Sequence, residues 1–139
     1  MQDTPSDWRM VAEHECRTAI HRFASCLDTF DDEGVLALVT DDCLWRGAPD
    51  AEGHAGIRAR LAGRSRQLRT LHVVTGTVVN FDSERSANAR TIVAVYRFEK
   101  PGVQLPSLPH TLGVYGDRFR RAGSHWLIAE RRLTPLAQA

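Results

Sequence analysis

Apolar residues near the start of the chain recur at steps of three and four residues, which is the spacing of one face of an α-helix. The stripe covers residues 11–30, and Ser6 or Asp7 stands where a helix N-cap is needed. A second, shorter apolar run begins with acidic residues, which favour the positive end of a helix. We therefore predict three helices, the first ending at residue 31 and the others covering residues 32–39 and 57–68.

The pattern changes to alternation in the second half of the chain, where Val, Thr, Ile and aromatic residues are frequent. After a brief strand at 43–46, this period of two predicts four long strands, over residues 71–81, 87–99, 111–121 and 125–133. Short polar turns join the first pair and the last pair, which favours antiparallel neighbours. The longer connection over 101–109 is a candidate lid, and residues 1–6 and 134–139 are predicted to be tails.

Helices followed by a run of strands indicate an α+β fold with the helices gathered on one face of the sheet. The chain has 139 residues, 42% of them hydrophobic, which suits one globular domain with a real core. We expect a single domain over residues 1–139, ordered from about 7 to 133. Its sheet should be curved and cupped around the first helix and a small-molecule pocket.

The 18 basic and 17 acidic residues nearly cancel, so the chain has no long-range field that would attract nucleic acid or an anionic membrane. The start of the chain lacks the basic and apolar regions of a signal peptide, and no apolar run approaches the length of a membrane span. Its three cysteines form no CxxC pair, which fits reduced thiols. We therefore expect a cytoplasmic protein.

Two ionisable residues are candidates for acid–base chemistry. Asp28 borders the buried stripe of the first predicted helix, where a carboxylate must be paired or shifted toward its neutral form. His72 lies at the start of the first long strand, where Val74 shares its face and lines the concave side of the sheet. If the helix packs over this strand, the two side chains would form a base and its orienting partner. The alternatives are an aspartate that faces water and an ordinary core histidine.

Three further residues are candidates for substrate contact. Tyr115 lies between Gly113 and Gly116, which leave room for a ligand or for a close backbone, and its phenol could donate to an oxyanion. Arg131 and Arg132 end the last predicted strand on opposite faces, so at most one of them points inward and could clamp a carboxylate or enolate. An ordinary half-buried tyrosine is the alternative for Tyr115.

Motifs for other chemistries are missing from the sequence. It contains no HExxH, no Cys/His cluster, no phosphate-binding or dinucleotide-binding glycine motif and no GxSxG elbow. We therefore expect neither a metal nor any other cofactor, which leaves cofactor-free chemistry or binding.

Several segments, in this order and spacing, resemble the SnoaL-like branch of the nuclear-transport-factor-2-like superfamily, which includes scytalone dehydratase, bile-acid 7α-dehydratase and, more distantly, ketosteroid isomerase. The segments that carry the resemblance are residues 20–28, 39–45, 56–57, 71–72 and 113–117, followed by Trp126 and Arg131–Arg132. The resemblance implies a cone-shaped α+β barrel with the substrate at its open end, and often a dimer formed through the sheet.

The resemblance also implies roles for single residues. Asp28 and His72 match the aspartate–histidine dyad of the dehydratase-like members, and one of Arg131 or Arg132 matches the end-strand arginine of the bile-acid enzyme. Phe23 stands where many relatives carry a tyrosine, so the expected pocket lacks one phenol.

Two hypotheses of function follow. The first is a cofactor-independent lyase or isomerase, of the dehydratase kind, that acts on a hydrophobic oxygenated ring from natural-product or catabolic metabolism. In it Asp28 and His72 are catalytic, while Trp45, Val74 and Tyr115 form walls of low dielectric. A polyketide-type cyclase with the same pocket is the near alternative.

The second hypothesis is a non-catalytic ligand-binding or partner subunit, because a fold alone does not fix a function. A separation of more than about 6 Å between the two side chains of the dyad would favour it, since a base and its orienter must lie within hydrogen-bond reach. Under either hypothesis we expect a homodimer or a higher homo-oligomer, because the strands around Val95, Val114 and Leu127 carry apolar residues on both faces.

Overall fold

The computed structural model describes residues 5–99, 104 and 106–139. Its helices are α1 (Pro5–Asp28), α2 (Asp32–Leu36) and α3 (Gly53–Ala62). Its strands are β1 (Val39–Arg46), β2 (Ala51–Glu52), β3 (Arg69–Phe81), β4 (Ser86–Phe98), β5 (Thr111–Ala122) and β6 (His125–Gln138). Four of the nine residues of the predicted lid at 101–109 fall outside the described residues.

The six strands form one sheet in the order β2-β1-β6-β5-β4-β3. The prediction that the first two long strands pair antiparallel is confirmed, because Leu71 faces Tyr96 and Phe81 faces Ala87. The sheet is not antiparallel throughout, since β1 runs parallel to β6. Parallel neighbours need a crossover connection, and here the long chain segment between β1 and β6 provides it.

The α+β class and the curved sheet around the first helix are confirmed, but the sheet does not close into a barrel. Its two edges are β2 and β3. Closure would require these edges to pair, yet β2 has 2 residues and β3 has 13. The cup therefore remains open along β3.

The first helix packs its apolar stripe against β3 and β6. Its buried side chains recur at helical spacing and include Ala12, Cys16, Ala19, Ile20, Phe23, Ala24 and Leu27. Val11, predicted as part of the stripe, is 64% exposed because Ala12 occupies the inward position in that turn. The helix ends at Asp28, before the predicted residue 31, and Phe30 takes a positive φ of 56°.

The strand β3 changes face at a bulge. Thr75 pairs with Ile92 and Val78 pairs with Arg90, so β3 carries one residue more than β4 in this stretch. Gly76 provides the left-handed backbone, with a φ of 62°. Because one extra residue reverses the alternation of a strand, Thr70, His72 and Val74 before the bulge share the inner face with residues 77, 79 and 81 after it.

Several further predicted boundaries differ from the structure, and among them α3 ends at Ala62, six residues before the predicted end at 68. The strand β1 begins at Val39 rather than 43, so α2 is shorter than predicted. The helix α3 begins at Gly53, four residues before the predicted start. The predicted tail at 134–139 is largely strand, because β6 continues to pair with β5 up to the partners Thr111 and Gln138.

Within the described residues, no helix is both long and apolar enough to cross a membrane.

Candidate active site

The last turn of α1 meets the first residues of β3, and this contact brings Asp28 and His72 together. The Oδ1 atom of Asp28 lies 2.5 Å from Nδ1 of the His72 ring. The other carboxylate oxygen, Oδ2, accepts the backbone N–H of His72 at 2.9 Å. The side chain of Asp28 is 15% exposed and that of His72 is 8% exposed, so the pair is largely shielded from water.

A second layer of donors holds the carboxylate. The hydroxyl of Thr70 donates to Asp28 Oδ1 at 3.0 Å, from the same inner face of β3 as His72. Arg64 in turn donates through Nη2 to the Thr70 hydroxyl at 3.3 Å and through Nη1 to the carbonyl of Leu27 at 2.9 Å. Arg64 thus ties the segment after α3 to the end of α1, where the carboxylate is located.

The hydrogen bonds decide the charge of Asp28. Burial raises the pKa of this carboxyl, but the hydrogen bonds from the ring and backbone of His72 and from Thr70 outweigh burial, and the pKa lies below its usual value. Asp28 is therefore ionised at neutral pH and only accepts hydrogen bonds. Nδ1 of His72 must then carry the proton, which leaves Nε2 of the neutral ring as the free acceptor.

His72 lines a cavity of about 250 Å³ in the cup of the sheet. Trp45 and Tyr115, both predicted as pocket residues, also line it. The other lining residues are Leu27, Arg60, Arg64, Thr70, Val95, Arg97, Thr111 and Leu133. The cavity is thus partly apolar, as ligand sites commonly are, with an imidazole in its wall.

Tyr115 is buried within the sheet, and burial raises the pKa of its phenol, although the nearby charge of Arg131 opposes this shift. The phenol therefore stays protonated at neutral pH and can donate a hydrogen bond. Of its two neighbouring glycines, Gly113 allows a close backbone: an added Cβ would lie 2.9 Å from the carbonyl oxygen of Thr134. Gly116 faces open space.

Arg131 is the inward-pointing member of the arginine pair, but it binds a carboxylate of the protein. Its Nε and Nη2 atoms donate to the two oxygens of Asp117 at 2.7 and 2.9 Å, and the two side chains are 1% and 0% exposed. The guanidinium carbon lies 4.2 Å from the ring centroid of Phe23 and 4.0 Å from that of Tyr115. Arg131 therefore stabilises the site by packing against the rings of Phe23 and Tyr115. Its Nη1 atom is buried and has no hydrogen-bond partner in the described structure.

Three predicted substrate contacts lie outside the cavity lining. Phe23 is buried behind Trp45, with the two rings edge to face at 5.4 Å. Val74 packs against the buried cluster that contains Tyr115. Arg132 is exposed on the opposite face of β6 from Arg131.

The sequence interpretation missed four residues of the site: Arg60, Arg64, Thr70 and Arg97. The amphipathic pattern of the third predicted helix favours a solvated face for Arg60 and Arg64, and alternation alone does not decide which of Arg90 and Arg97 faces inward. The alternation of β3 placed Thr70 on the face of His72, and this signal was available in the sequence. The contacts of Arg60 depend on how α3 packs against β1 and the loop before the helix, and those of Arg64 depend on the path of the chain after α3. The periodicity of the sequence reports neither.

A larger cavity of about 630 Å³ lies at the other side of α1, with Glu15 and His125 among its lining residues. The side chain of His125 is 78% exposed and that of Glu15 is 33% exposed, and their closest atoms are 3.9 Å apart. This cavity lacks a desolvated acid–base pair. We therefore assign the candidate active site to the smaller cavity.

The thiols of Cys16 and Cys43 are buried, and burial raises the pKa of each to about 12, so neither is a nucleophile at neutral pH. Among the described residues, no three His, Cys, Asp or Glu side chains come together in a way that would hold a metal ion.

The sequence of this chain matches a family model over most of its length. The SnoaL-like domain model aligns with residues 8–132. Among curated protein sequences, none matches this chain.

Solved structures share the fold at low sequence identity. A putative scytalone dehydratase from Novosphingobium aromaticivorans superposes with a TM-score of 0.84 at 22% identity, over 96% of this chain and 90% of that one. An ntf2-like protein with a cystatin-like fold from the same species gives 0.80 at 20% identity, over 100% and 94%. A hexachlorocyclohexane dehydrochlorinase from Novosphingobium barchaimii gives 0.75 at 18% identity, over 94% and 93%.

Proposed function

This chain belongs to the SnoaL-like domain family, and from that premise we propose that it is a cofactor-independent lyase or isomerase acting on a hydrophobic, oxygenated ring. Two of the structurally similar proteins have names that denote eliminations, a dehydratase and a dehydrochlorinase. Elimination is therefore the first reaction to test.

The observation that carries the proposal is the contact between Asp28 and His72 in the wall of the cavity. At 2.5 Å, the carboxylate and the ring are within hydrogen-bond reach, which the binding-subunit hypothesis did not require. The carboxylate fixes the tautomer, so the basic nitrogen is the one that faces a ligand. A cavity with a desolvated base and an apolar wall is suited to proton transfer at carbon.

In the proposed reaction, Nε2 of His72 accepts the proton of a C–H bond next to a carbonyl. The electron pair of that bond moves toward the carbonyl, and Asp28 stabilises the imidazolium that forms. In this proposal the phenol of Tyr115, which lines the same cavity, donates a hydrogen bond to the developing oxyanion.

The possible products differ in where the electron pair of the C–H bond and the proton on His72 go. In a dehydration it forms a carbon–carbon double bond while the adjacent C–O bond breaks, and His72 returns its proton to the leaving hydroxyl as water. In an isomerisation the proton returns to another carbon. In a cyclisation the enolate carbon attacks a second carbonyl of the same molecule, the π electrons of that carbonyl move to its oxygen, and this oxygen takes the proton back from His72.

The first prediction tests the dyad through deuterium incorporation next to the carbonyl of cyclic ketones, beginning with 1-tetralone, in D₂O and followed by NMR. We expect Asp28→Asn and His72→Ala each to lower the exchange rate by a factor of about 10² or more, the usual contribution of a general base. The double variant should lose little beyond the worse single variant, because the two groups act as one unit.

His125→Gln is the matched control, since this histidine is exposed in the other cavity and should leave the rate unchanged. Circular dichroism checks that each variant is folded. A folded Asp28→Asn protein at the wild-type rate would remove Asp28 from the mechanism. A wild-type protein no faster than His72→Ala across the ketone panel would favour the binding-subunit hypothesis.

A further inference from the structure

Among the residues that the structure describes, three arginines and no acidic side chain line the small cavity. Arg60 comes from α3, Arg64 from the segment that follows it and Arg97 from β4. The nearest carboxylate of the site is Asp28, which lies behind His72 and engages it in two hydrogen bonds. The cavity therefore holds more positive charge than its one carboxylate can balance.

Carbonyl oxygens of the protein, rather than carboxylates, hold the first two of these arginines in place. Arg60 donates to the carbonyl of Trp45 at 3.0 Å and to that of Pro49, and its guanidinium carbon lies 4.9 Å from the Trp45 ring centroid. Arg64 donates to the carbonyl of Leu27 and to a hydroxyl. Neutral acceptors orient a guanidinium without cancelling its charge. By contrast, Arg58 pairs with the carboxylate of Glu33.

The charge of Arg64 is only partly compensated. Burial lowers the pKa of this guanidinium, and the carboxylates of Asp28 and Asp32 offset only part of that effect. An anion in the cavity would supply the missing compensation. It would also find unused donors, because a guanidinium carries five N–H groups and the described contacts of Arg64 use two of its nitrogens.

Arg97 is the arginine best placed to meet a ligand. It faces Thr70 across the β3–β4 pair, and its neighbour on the same face, Val95, faces His72. Its side chain is exposed at the cavity and makes no ion pair with any described residue. A ligand in this cavity therefore contacts the imidazole and the guanidinium together.

We propose that the ligand of this cavity is a ring compound that carries a carboxylate, which Arg97 binds with the support of Arg64 and Arg60. The proposal rests on the proposed function only in taking this ligand to be the substrate. Its chemistry is that of a charge-assisted hydrogen bond in a partly desolvated site, where an Arg–carboxylate pair is stronger and more directional than neutral contacts.

The second prediction uses two probes of equal shape, 2-naphthoate and its neutral amide 2-naphthamide, with binding measured by isothermal titration calorimetry. We expect the wild-type protein to bind the carboxylate more tightly, by about tenfold or more. Arg97→Gln should reduce this ratio, and Arg97→Glu should bring it to about one or below while binding of the amide persists. Added salt should lower the ratio as well.

Arg90→Gln is the matched control, because Arg90 lies on the same strand but faces outward. This variant should prefer the carboxylate over the amide by the same factor as the wild type. Failure of the wild-type protein to prefer the carboxylate, or an unchanged ratio in Arg97→Glu, would overturn the proposal. Loss of this preference with ketone exchange intact leaves the proposed function standing. Selective binding without exchange would instead leave a carboxylate-binding pocket and remove the enzymatic proposal.

Discussion

At the residue scale, the two oxygens of Asp28 have different partners. Oδ2 is bound to the backbone of His72, which fixes the carboxylate relative to the strand. Oδ1 is shared between the ring of His72 and the hydroxyl of Thr70. Thr70 is therefore a positioning residue, because it acts on the imidazole only through the carboxylate.

The third prediction concerns Thr70→Val, which keeps the shape of the side chain but removes its donor. Because that donor helps to lower the pKa of Asp28, its loss should raise this pKa toward the usual value for aspartate. A lowered carboxyl pKa stabilises the fold above the unfolded pKa of about 3.9, and this stabilisation is lost as the pH falls through the folded pKa. Thr70→Val should therefore be less stable than the wild type at neutral pH, and the difference should shrink in acid.

Urea unfolding between pH 2 and 7 measures this difference, and Thr70→Ser is the control because it retains a hydroxyl. A stability difference that stays constant across the pH range would mean that Thr70 serves packing alone. The same outcome for Thr70→Ser and Thr70→Val would also argue against the hydroxyl.

At the element scale, the bulge of β3 determines which side chains face the cavity. Without the extra residue at Gly76, one end of the strand would turn its inner side chains outward. Thr70 and His72 lie before the bulge, and the residues that pack under α1 lie after it. The first half of β3 thus contributes side chains to the site, and the second half contributes side chains to the core.

The fourth prediction is that Gly76→Ala destabilises the protein by about 1–2 kcal/mol, the usual cost of a left-handed backbone for an L-residue. The added Cβ would also lie 3.2 Å from Cδ1 of Ile92. Gly116→Ala is the matched control, since no atom lies within 4 Å of its added Cβ. Urea denaturation of both variants compares them, and equal stabilities would show that the bulge tolerates a side chain.

The spacing of the apolar residues and the residue types in the turns predicted the elements of this fold well where the contacts are local. The alternation in β4 and β5 gave boundaries within one residue of the structure at most ends. The parallel pairing of β1 with β6 could not be predicted in this way, because it joins residues that are distant in sequence. The end of β6 was missed because its last residues are exposed on both faces and include Pro135, so they show no alternation, although the backbone still pairs with β5.

The candidate site likewise contains residues that local patterns predicted and residues that only long-range contacts reveal. Asp28 and His72 were found because each stands out from its own helix or strand pattern, and a resemblance to known dehydratases joined them. Arg64 was missed because its partners are a backbone carbonyl and a hydroxyl, which any sequence offers in many places. Alternation predicted that at most one of Arg131 and Arg132 points inward, but it did not say which one. It also gave no sign of the partner Asp117, because only the register between β5 and β6 brings Asp117 against Arg131.

At the scale of the whole molecule, the outer face of the sheet is apolar where no helix covers it. Val73 is 46% exposed and Leu112 is 38% exposed, and both lie beside Ala94 in one row across β3, β4 and β5. Leu71 extends this patch and is 50% exposed. Apolar rows of this kind commonly mark contact surfaces.

The fifth prediction is that the protein forms a homodimer through this outer face. Multi-angle light scattering should give the dimer mass at micromolar concentration, and Val73→Lys or Leu112→Glu should shift the protein to monomer. Met10→Lys is the control, because Met10 is exposed on α1 and away from the sheet. A strict monomer in the wild type would exclude the dimer, and a dimer unaffected by both changes would place the interface elsewhere.

The open edge of the sheet gives the carboxylate of Asp28 a further role. In the described part of the chain, no strand lies beside β3 on its outer side, and the backbone N–H of His72 is one of the groups along that edge. Free N–H groups on an edge strand are templates for pairing with strands of other molecules, which leads to aggregation. The carboxylate of Asp28 accepts a hydrogen bond from this N–H, so the N–H is not free to pair with a strand of another molecule. The proposed catalytic group therefore also protects this edge against strand addition. Evolution of a different chemistry at position 28 would therefore have to keep an acceptor there, or protect the edge by other means.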